Sequence, residues 1–212
     1  MDETFCRIAL LTGLVVFTLL AVVLPVIRHR IRHGSGTGFV LAQVTDPVGK
    51  VVGVAITTNT NLVGLFGFVF FFFGPGPVQV WTWVPSAVSY LGVACMVAST
   101  AVIVTAQAQM GKHWRMCIDN VPTGLVTSGL FGFVRNPIYL GTILFNTGVA
   151  LLAPSPWTLC FLWMGGTLVA LQARLEEKHL LALHGDAYRA YAASVGRFFP
   201  GLGTLNADGT EA

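Results

Sequence analysis

The chain has 212 residues, of which 54% are hydrophobic and only 10% are charged. Soluble domains carry about 25% charged residues, so this composition excludes an ordinary water-soluble protein and predicts an integral membrane protein. The net charge of +3 gives no basis for nucleic-acid binding. The four cysteines are scattered singly without ligand spacing, so we expect neither a metal site nor a disulfide framework.

Apolar segments recur along the chain at the length that a membrane-crossing helix requires, about 20 residues. Five such segments cover residues 8–27, 51–73, 84–108, 138–153 and 157–173. Pro154-Ser155-Pro156 joins the last two so tightly that they must form an antiparallel hairpin. The sequence therefore predicts an all-α polytopic transmembrane bundle of about five spans. A charged, amphipathic C-terminal helix follows over residues 174–195, interrupted at His184-Gly185.

The basic residues set the predicted orientation, because Lys and Arg favour cytoplasmic loops. They follow the first and third spans and fill the tail, whereas the turns at residues 74–77 and 154–156 contain none. The basic positions after these two spans and in the tail are Arg28, Arg30, Arg32, Lys50, Lys112, Arg115, Arg135, Arg174, Lys178, Arg189 and Arg197. We expect the N-terminus outside and the C-terminus in the cytoplasm of a bacterial inner membrane.

Residues 109–137 mix glycines and charges with isolated apolar positions. Glycines in such a segment let backbone amides approach a ligand closely. Pro137 suits the first turn of a helix, whose free N–H groups and positive dipole end attract a carboxylate. Arg174 and Glu177 stand three apart and share a helix face. From spacing alone, an ordinary basic loop followed by a solvated surface helix remains equally open.

Several motifs in this half of the chain carry a resemblance. The segments are Leu125-Val-Thr-Ser-Gly129-Leu-Phe, Arg135-Asn-Pro-Ile-Tyr-Leu-Gly141, Glu176-Glu177 and Gly185-Asp-Ala-Tyr188. In this order, and with a proline-joined hairpin between them, they resemble the isoprenylcysteine carboxyl methyltransferase family, which also takes in phospholipid methyltransferases. The resemblance covers residues 110–200. It departs at Asn136, where many family members have histidine.

The resemblance implies that S-adenosyl-L-methionine is the cofactor, held between residues 124–141 and the segment from Glu176 to Tyr191 under a cytosolic lid. The implied cofactor-binding residues are Gln109, Gly111, Val126, Thr127, Gly129, Arg135, Asn136, Pro137, Tyr139 and Glu176. Among them Arg135, Asn136 and the helix start hold the methionine carboxylate, and Glu176 binds the ribose or the ammonium group. Arg174 and Glu177 are the implied catalytic residues, facing the methyl acceptor. Tyr188 and Tyr191 are expected to pack rather than to react.

The implied activity is methyl transfer to a lipophilic acceptor at the cytoplasmic membrane face. A carboxylate acceptor is already ionised and could pair with Arg174, whereas a lipid amine would first have to lose a proton. We expect partners to be this acceptor and membrane lipids, with no obligate protein partner. Two alternatives stay open, a sterol-type membrane reductase that uses NADPH and a non-catalytic transporter or subunit.

Three regions are predicted on this basis: three N-terminal spans over residues 1–108, a cofactor-binding core over 109–200 and a flexible tail over 201–212. A polar tract, Thr57-Thr-Asn-Thr-Asn61, lies inside the second span. Such side chains usually hydrogen-bond neighbouring helices, so we expect an interhelical contact there. A polar patch in a substrate cavity is the alternative.

Overall fold

A computed structural model describes residues 2–33, 47–111 and 124–206. The predicted connection over residues 34–38 and the predicted loop residues Lys112 and Arg115 lie outside them. Within the described ranges the helices are α1 Glu3–Phe17, a π-helical segment Thr18–Val23, α2 Leu24–His33, α3 Pro47–Phe73, α4 Pro75–Val78, α5 Ser86–Met110, α6 Pro137–Leu152, α7 Pro156–His184 and α8 Asp186–Ser194. These residues form no strand beyond two isolated bridges, so the all-α prediction is confirmed.

Four helices in the described ranges are long and apolar enough to cross a membrane: Glu3–Arg28, Pro47–Phe73, Ser86–Met110 and Pro156–His184. The remaining predicted span is the shorter apolar helix α6, whose 16 residues measure about 24 Å. Since a hydrocarbon core is about 30 Å thick, α6 falls short of a full crossing. The chain is thus a polytopic helical membrane protein in which one apolar helix, α6, is shorter than the four candidate spans.

The predicted hairpin joins α6 to α7 and is capped at its turn. Ser155 accepts a hydrogen bond from the Thr158 N–H, and the Thr158 hydroxyl accepts one from the Ser155 N–H. Pro156 occupies the first helical position, where its missing N–H costs nothing. The Trp81 N–H donates to Pro154 O at 2.8 Å and ties this turn to the segment that follows α4.

The C-terminal helices differ from the prediction at one boundary. Residues 157–173 and the first part of the predicted amphipathic helix form one helix, α7, because nothing between Ala173 and His184 interrupts it. The predicted break at His184-Gly185 is present: Gly185 has a φ of +52° and separates α7 from α8. A helix that starts in apolar surroundings therefore carries Arg174, Glu176 and Glu177 on its second half.

Small residues bring α5 and α6 together. A side chain on Gly92 would stand 2.8 Å from Gly148 O, and one on Gly148 would stand 2.7 Å from Gly92 O. Further along the same contact, the Ser99 hydroxyl donates to Gly141 O at 2.6 Å. Close backbone approach through small residues is how helices associate in membranes, where no hydrophobic force acts between them. This contact fixes the start of α6 against α5.

Two threonines of the polar tract in α3 hydrogen-bond to main-chain carbonyls of the same helix. The Thr57 hydroxyl donates to Gly53 O and the Thr60 hydroxyl to Ile56 O. Only Asn59 is buried, and its amide nitrogen would stand 2.9 Å from a side chain placed on Gly165 of α7. The expected interhelical contact is therefore limited to packing of Asn59 against α7.

The π-helical segment of the first span precedes Pro25, which has no N–H to donate to the Ala21 carbonyl. The Gln107 amide of α5 fills that role, donating to Ala21 O at 2.8 Å. Side chains of neighbouring helices commonly satisfy carbonyls that a proline frees inside a membrane. The hydrogen bond links the N-terminal span to the end of α5, two residues before Gln109.

We expect Gln107→Leu to lower the free energy of unfolding by about 1–3 kcal/mol, because a buried carbonyl loses its partner. In a Pro25→Ala background the restored N–H can bond Ala21 O, so the same substitution should cost less. Thermal unfolding of the four proteins in detergent measures this coupling. Equal losses in both backgrounds would contradict the assigned role of Gln107.

Candidate functional site

The polar centre of the molecule is the carboxylate of Glu177, which lies buried on α7 between two arginines. Arg135 donates to Oε1 through Nε at 3.1 Å and Nη2 at 3.0 Å. Arg197 donates to Oε2 through Nε at 3.0 Å and Nη2 at 2.7 Å. Two-pronged pairing of this kind combines charge with fixed geometry. Both oxygens of the carboxylate are therefore engaged by the protein itself.

Arg135 uses the rest of its guanidinium on main-chain carbonyls. Nη1 donates to Ala192 O at 2.9 Å and to Val195 O, and Nη2 donates to Gly203 O at 2.8 Å. An arginine has five N–H donors, and all five find acceptors here. Arg135 thereby joins the start of α6, the end of α8 and the segment after it.

Asn136 belongs to the same network. Its side-chain amide donates to Glu177 Oε1 at 3.0 Å, and its main-chain N–H donates to Arg197 O at 3.1 Å. The Arg135 N–H donates to Gly196 O at 2.8 Å, which completes a short parallel pairing with the tail. Asn136 precedes α6 without capping it through its side chain.

The structure thus brings together three residues predicted from sequence, Arg135, Asn136 and Glu177. The side chains of Arg135 and Asn136 donate hydrogen bonds to Glu177. The structure also recruits residues beyond position 200, the start of the predicted flexible tail. Gly203 O accepts from Arg135, and the N–H of the buried Leu205 donates to Ala192 O. The packed region therefore extends at least to Leu205.

A second cluster surrounds Glu176, on a different side of α7. The Tyr139 hydroxyl donates to Glu176 Oε1, and the Gln172 amide donates to the same oxygen at 3.2 Å. The Gln172 amide oxygen is buried without a partner among the described residues. Carboxylate and amide oxygens only accept hydrogen bonds, so this cluster suits a ligand that presents hydroxyl, amino or ammonium groups.

The glycine-containing segment that precedes α6 packs against the end of α5. Gln109 Oε1 accepts from the Leu130 N–H at 2.9 Å, and a side chain on Gly129 would lie 2.5 Å from the Gln109 amide nitrogen. Gly129 has a φ of +65°, a conformation that favours glycine, and a side chain there would also displace Gln109. Before it, Val126 is half-buried and Thr127 is exposed in a stretch without regular secondary structure, while Gly111 ends α5 with a φ of +52°.

Tyr191 fastens the same segment to α8, since its hydroxyl donates to Phe131 O at 2.6 Å. Burial raises the pKa of Tyr191 to about 12 and raises that of Tyr188 as well. Both phenols therefore stay protonated at neutral pH, and Tyr191 remains a hydrogen-bond donor. Tyr188 is fully buried and contacts Tyr191 edge-on, with 6.0 Å between the ring centres.

Arg174 differs from Glu176 and Glu177 in its solvent exposure. It is an exposed residue of α7 and lines a cavity of about 270 Å³ between this helix and residues 197–203. Successive helix residues are rotated by about 100°, so Glu176 points about 160° away from Arg174, whereas Glu177 lies within about 60° of it. The two residues predicted to be catalytic share a face of α7, and Glu176 occupies another.

Known proteins share the segment that contains Arg135, Asn136, Tyr139, Glu176 and Glu177. Residues 87–187, from the start of α5 to the start of α8, match the family model of phospholipid methyltransferase. The match covers 101 of the 212 residues, just under half of the chain, and shows similarity to this family. A protein-S-isoprenylcysteine O-methyltransferase of Dictyostelium discoideum is 24% identical over 130 residues, which cover 58% of this chain and 55% of that protein. The chain thus spans about half the length of this relative. The predicted resemblance to this family is confirmed.

Two members of the polar clusters were not predicted from the sequence. Gln172 lies four residues before Glu176, a spacing that places both on one helix face and could have revealed it. Arg197 lies beyond the phospholipid methyltransferase segment and is separated from Glu177 by α8. Its only sequence signal is a positive charge beside apolar residues, in Val195-Gly-Arg197-Phe-Phe. Such a charge near a membrane is costly to bury unless it is paired.

Proposed function

We propose that this protein transfers a methyl group from S-adenosyl-L-methionine to a lipophilic acceptor at the cytoplasmic face of the membrane. The observation that carries the proposal is the phospholipid methyltransferase segment over residues 87–187. Within it, the Tyr139 hydroxyl of α6 donates to Glu176 of α7, and the segment that contains Gly129 packs against Gln109 at the end of α5. The relative named as an isoprenylcysteine O-methyltransferase supports an acceptor with a lipid-like chain.

The donor groups of the cofactor fit the acceptors of the Glu176 cluster. Glu176 and the unpartnered Gln172 oxygen would receive its ribose hydroxyls or its ammonium group. The cofactor carboxylate suits the positive end of α6 at Pro137 and the backbone of Val126, Thr127 and Gly129. Arg135 and Asn136 would support this end of the helix from behind, because their side chains already bind Glu177.

The cofactor supplies a sulfonium-bound methyl group, and the protein chiefly aligns the reactants for displacement. Proximity and orientation of this kind can contribute about 7–11 kcal/mol. A carboxylate acceptor needs no base, and Arg174 would orient it. A lipid amine would have to lose a proton to water or to a carboxylate such as Glu176. Since both oxygens of Glu177 are engaged, we assign it to positioning Arg135 and Arg197 beside the reacting groups.

The distribution of charge supports the proposed sidedness. The ends of α5 and α7 and the start of α6 lie at one end of the bundle, together with Arg135, Arg174 and Arg197. The opposite end holds the turn at residues 74–77 and the α6–α7 hairpin, which contain no basic residue. Arg7 also lies at that end, where it is paired with Glu3. Positive residues favour the cytoplasm, so the site would face inward in a bacterial inner membrane.

Calorimetry in detergent tests the cofactor. We expect the purified protein to bind S-adenosylhomocysteine and Glu176→Gln to bind it at least about tenfold more weakly, since hydrogen bonds to a charged group contribute about 1.5–3 kcal/mol. Glu3→Gln is the matched control, because Glu3 pairs with Arg7 on α1 rather than with the site. Binding of NADPH instead would favour a reductase, and binding of neither would favour a transporter or a non-catalytic subunit.

A further inference from the structure

The cavity beside Arg174 is lined by two arginines and by apolar side chains. Arg174 and Arg197 line it together with Ala170, Phe199 and Leu202. Phe199 and Leu202 are 59% and 65% exposed, although they belong to a turn held by the Arg197 N–H bond to Leu202 O at 2.9 Å. Two large apolar side chains are thus kept at the surface by a defined backbone. Exposed apolar side chains of this kind mark contact with a membrane or another protein.

The depth of this cavity follows from the length of α7. Pro156 starts the helix at the uncharged hairpin, and Arg174 is 18 residues further on, a rise of about 27 Å. The hydrocarbon core of a bilayer is about 30 Å thick. If the hairpin stands at the outer boundary, Arg174 stands at the inner one, where phosphates of the lipid headgroups lie. Phe199 and Leu202 then face the acyl-chain boundary.

The positive charge of the cavity lining favours a lipid with an anionic headgroup. Arg135, Glu177 and Arg197 together carry a net charge of +1, and Arg174 adds a second positive charge. Among the described residues, no acidic side chain lines the cavity. Glu176 points to another side of α7, toward Tyr139. A zwitterionic headgroup would bring its ammonium group against these cations, whereas an anionic headgroup would not.

We propose that this cavity binds an anionic membrane phospholipid, with its phosphate at Arg174 and Arg197 and its acyl chains along Ala170, Phe199 and Leu202. The bound lipid is separate from the cofactor cluster at Glu176, exchanges at Arg174 with a carboxylate acceptor, and holds the C-terminal turn against the bilayer. The proposal does not depend on methyl transfer, because neither the charge nor the depth of the cavity involves the cofactor.

Native mass spectrometry of the full chain tests this assignment with phosphatidylglycerol and phosphatidylcholine of identical acyl chains. We expect the wild-type protein to retain phosphatidylglycerol in preference. Arg174→Gln should reduce that preference about fivefold, the effect of one basic residue at an anionic membrane surface. Leu202→Ser should weaken retention of both lipids. Arg189→Gln is the matched control, because it removes the same charge from a residue paired with Asp186 on α8.

Several outcomes would overturn the proposal. Equal retention of the two lipids would do so, as would equal losses in Arg174→Gln and Arg189→Gln, which would indicate general attraction to the membrane. Displacement of the lipid by inorganic phosphate alone would indicate a site for soluble anions. Far-ultraviolet circular dichroism of each variant checks that it remains folded. Binding of S-adenosylhomocysteine, measured separately on the same samples, keeps failure of this proposal distinct from failure of the proposed activity.

Discussion

Replacing Glu177 with alanine is expected to lower the free energy of unfolding by about 3–5 kcal/mol, the cost of breaking a buried ion pair from one side. Arg135 and Arg197 would then face each other across a space without a counter-charge, and their side chains are only 1% and 10% exposed. The amide of Asn136 would lose the same acceptor. Thermal unfolding in detergent, read by circular dichroism, measures the loss.

Two further variants show whether charge balance is the cause. Arg197→Met leaves Glu177 paired with Arg135, so it should cost less than Glu177→Ala. Glu176→Gln changes the neighbouring carboxylate, whose partners Tyr139 and Gln172 are uncharged, and should cost least. This order separates loss of a counter-ion from loss of any carboxylate.

The same variants distinguish positioning from direct chemistry. If Glu177 positions the site, Glu177→Ala should lose stability and cofactor binding together, whereas Glu176→Gln should lose binding at nearly unchanged stability. A Glu177→Ala protein with wild-type stability and intact binding of S-adenosylhomocysteine, but no methyl transfer, would instead support the catalytic role that the family resemblance implies.

Gly196→Ala should be nearly as damaging, although it adds a single methyl group. That group would lie 1.9 Å from Phe199 O, 2.7 Å from Leu202 O and 2.8 Å from Leu202 N. All three are main-chain atoms, so no side chain can rotate away. Overpacking commonly costs about 1–3 kcal/mol, and we expect the upper end of that range here because the turn that presents Arg197 must open.

Two other glycines provide controls in the same chain. Gly201 also lies in the tail and has a φ of +74°, but a side chain there meets open space, so Gly201→Ala should cost only about 1–2 kcal/mol of backbone strain. Gly166 lies in α7 with open space around it, and alanine there should be neutral or stabilising. Thermal unfolding ranks the three variants, and limited proteolysis reports whether the tail has detached. Equal stability of the Gly196 and Gly166 variants would refute the steric argument.

Much of the architecture could be predicted because hydrophobic segments and helix breakers are local properties. The apolar segments, the proline-joined hairpin and the break at Gly185 depend on residues near one another in the chain. The sequence did not predict that the fifth span and the amphipathic helix form one continuous helix, because the change in polarity at Arg174 suggested that a helix ends there. The change in polarity marks where the helix meets water. The helix continues beyond that point because no Gly or Pro lies between Ala173 and His184.

The sequence by itself determined that this is a helical membrane protein, and its motifs identified the family before any geometry was known. It also identified Arg135, Asn136, Tyr139, Glu176 and Glu177 as a group. Only the tertiary structure decided how they are paired. Glu176 and Glu177 are chemically identical neighbours, but the rotation of about 100° per residue in α7 sends one toward Tyr139 and the other between Arg135 and Arg197. Those partners come from α6 and from the tail, so their approach depends on how distant segments pack.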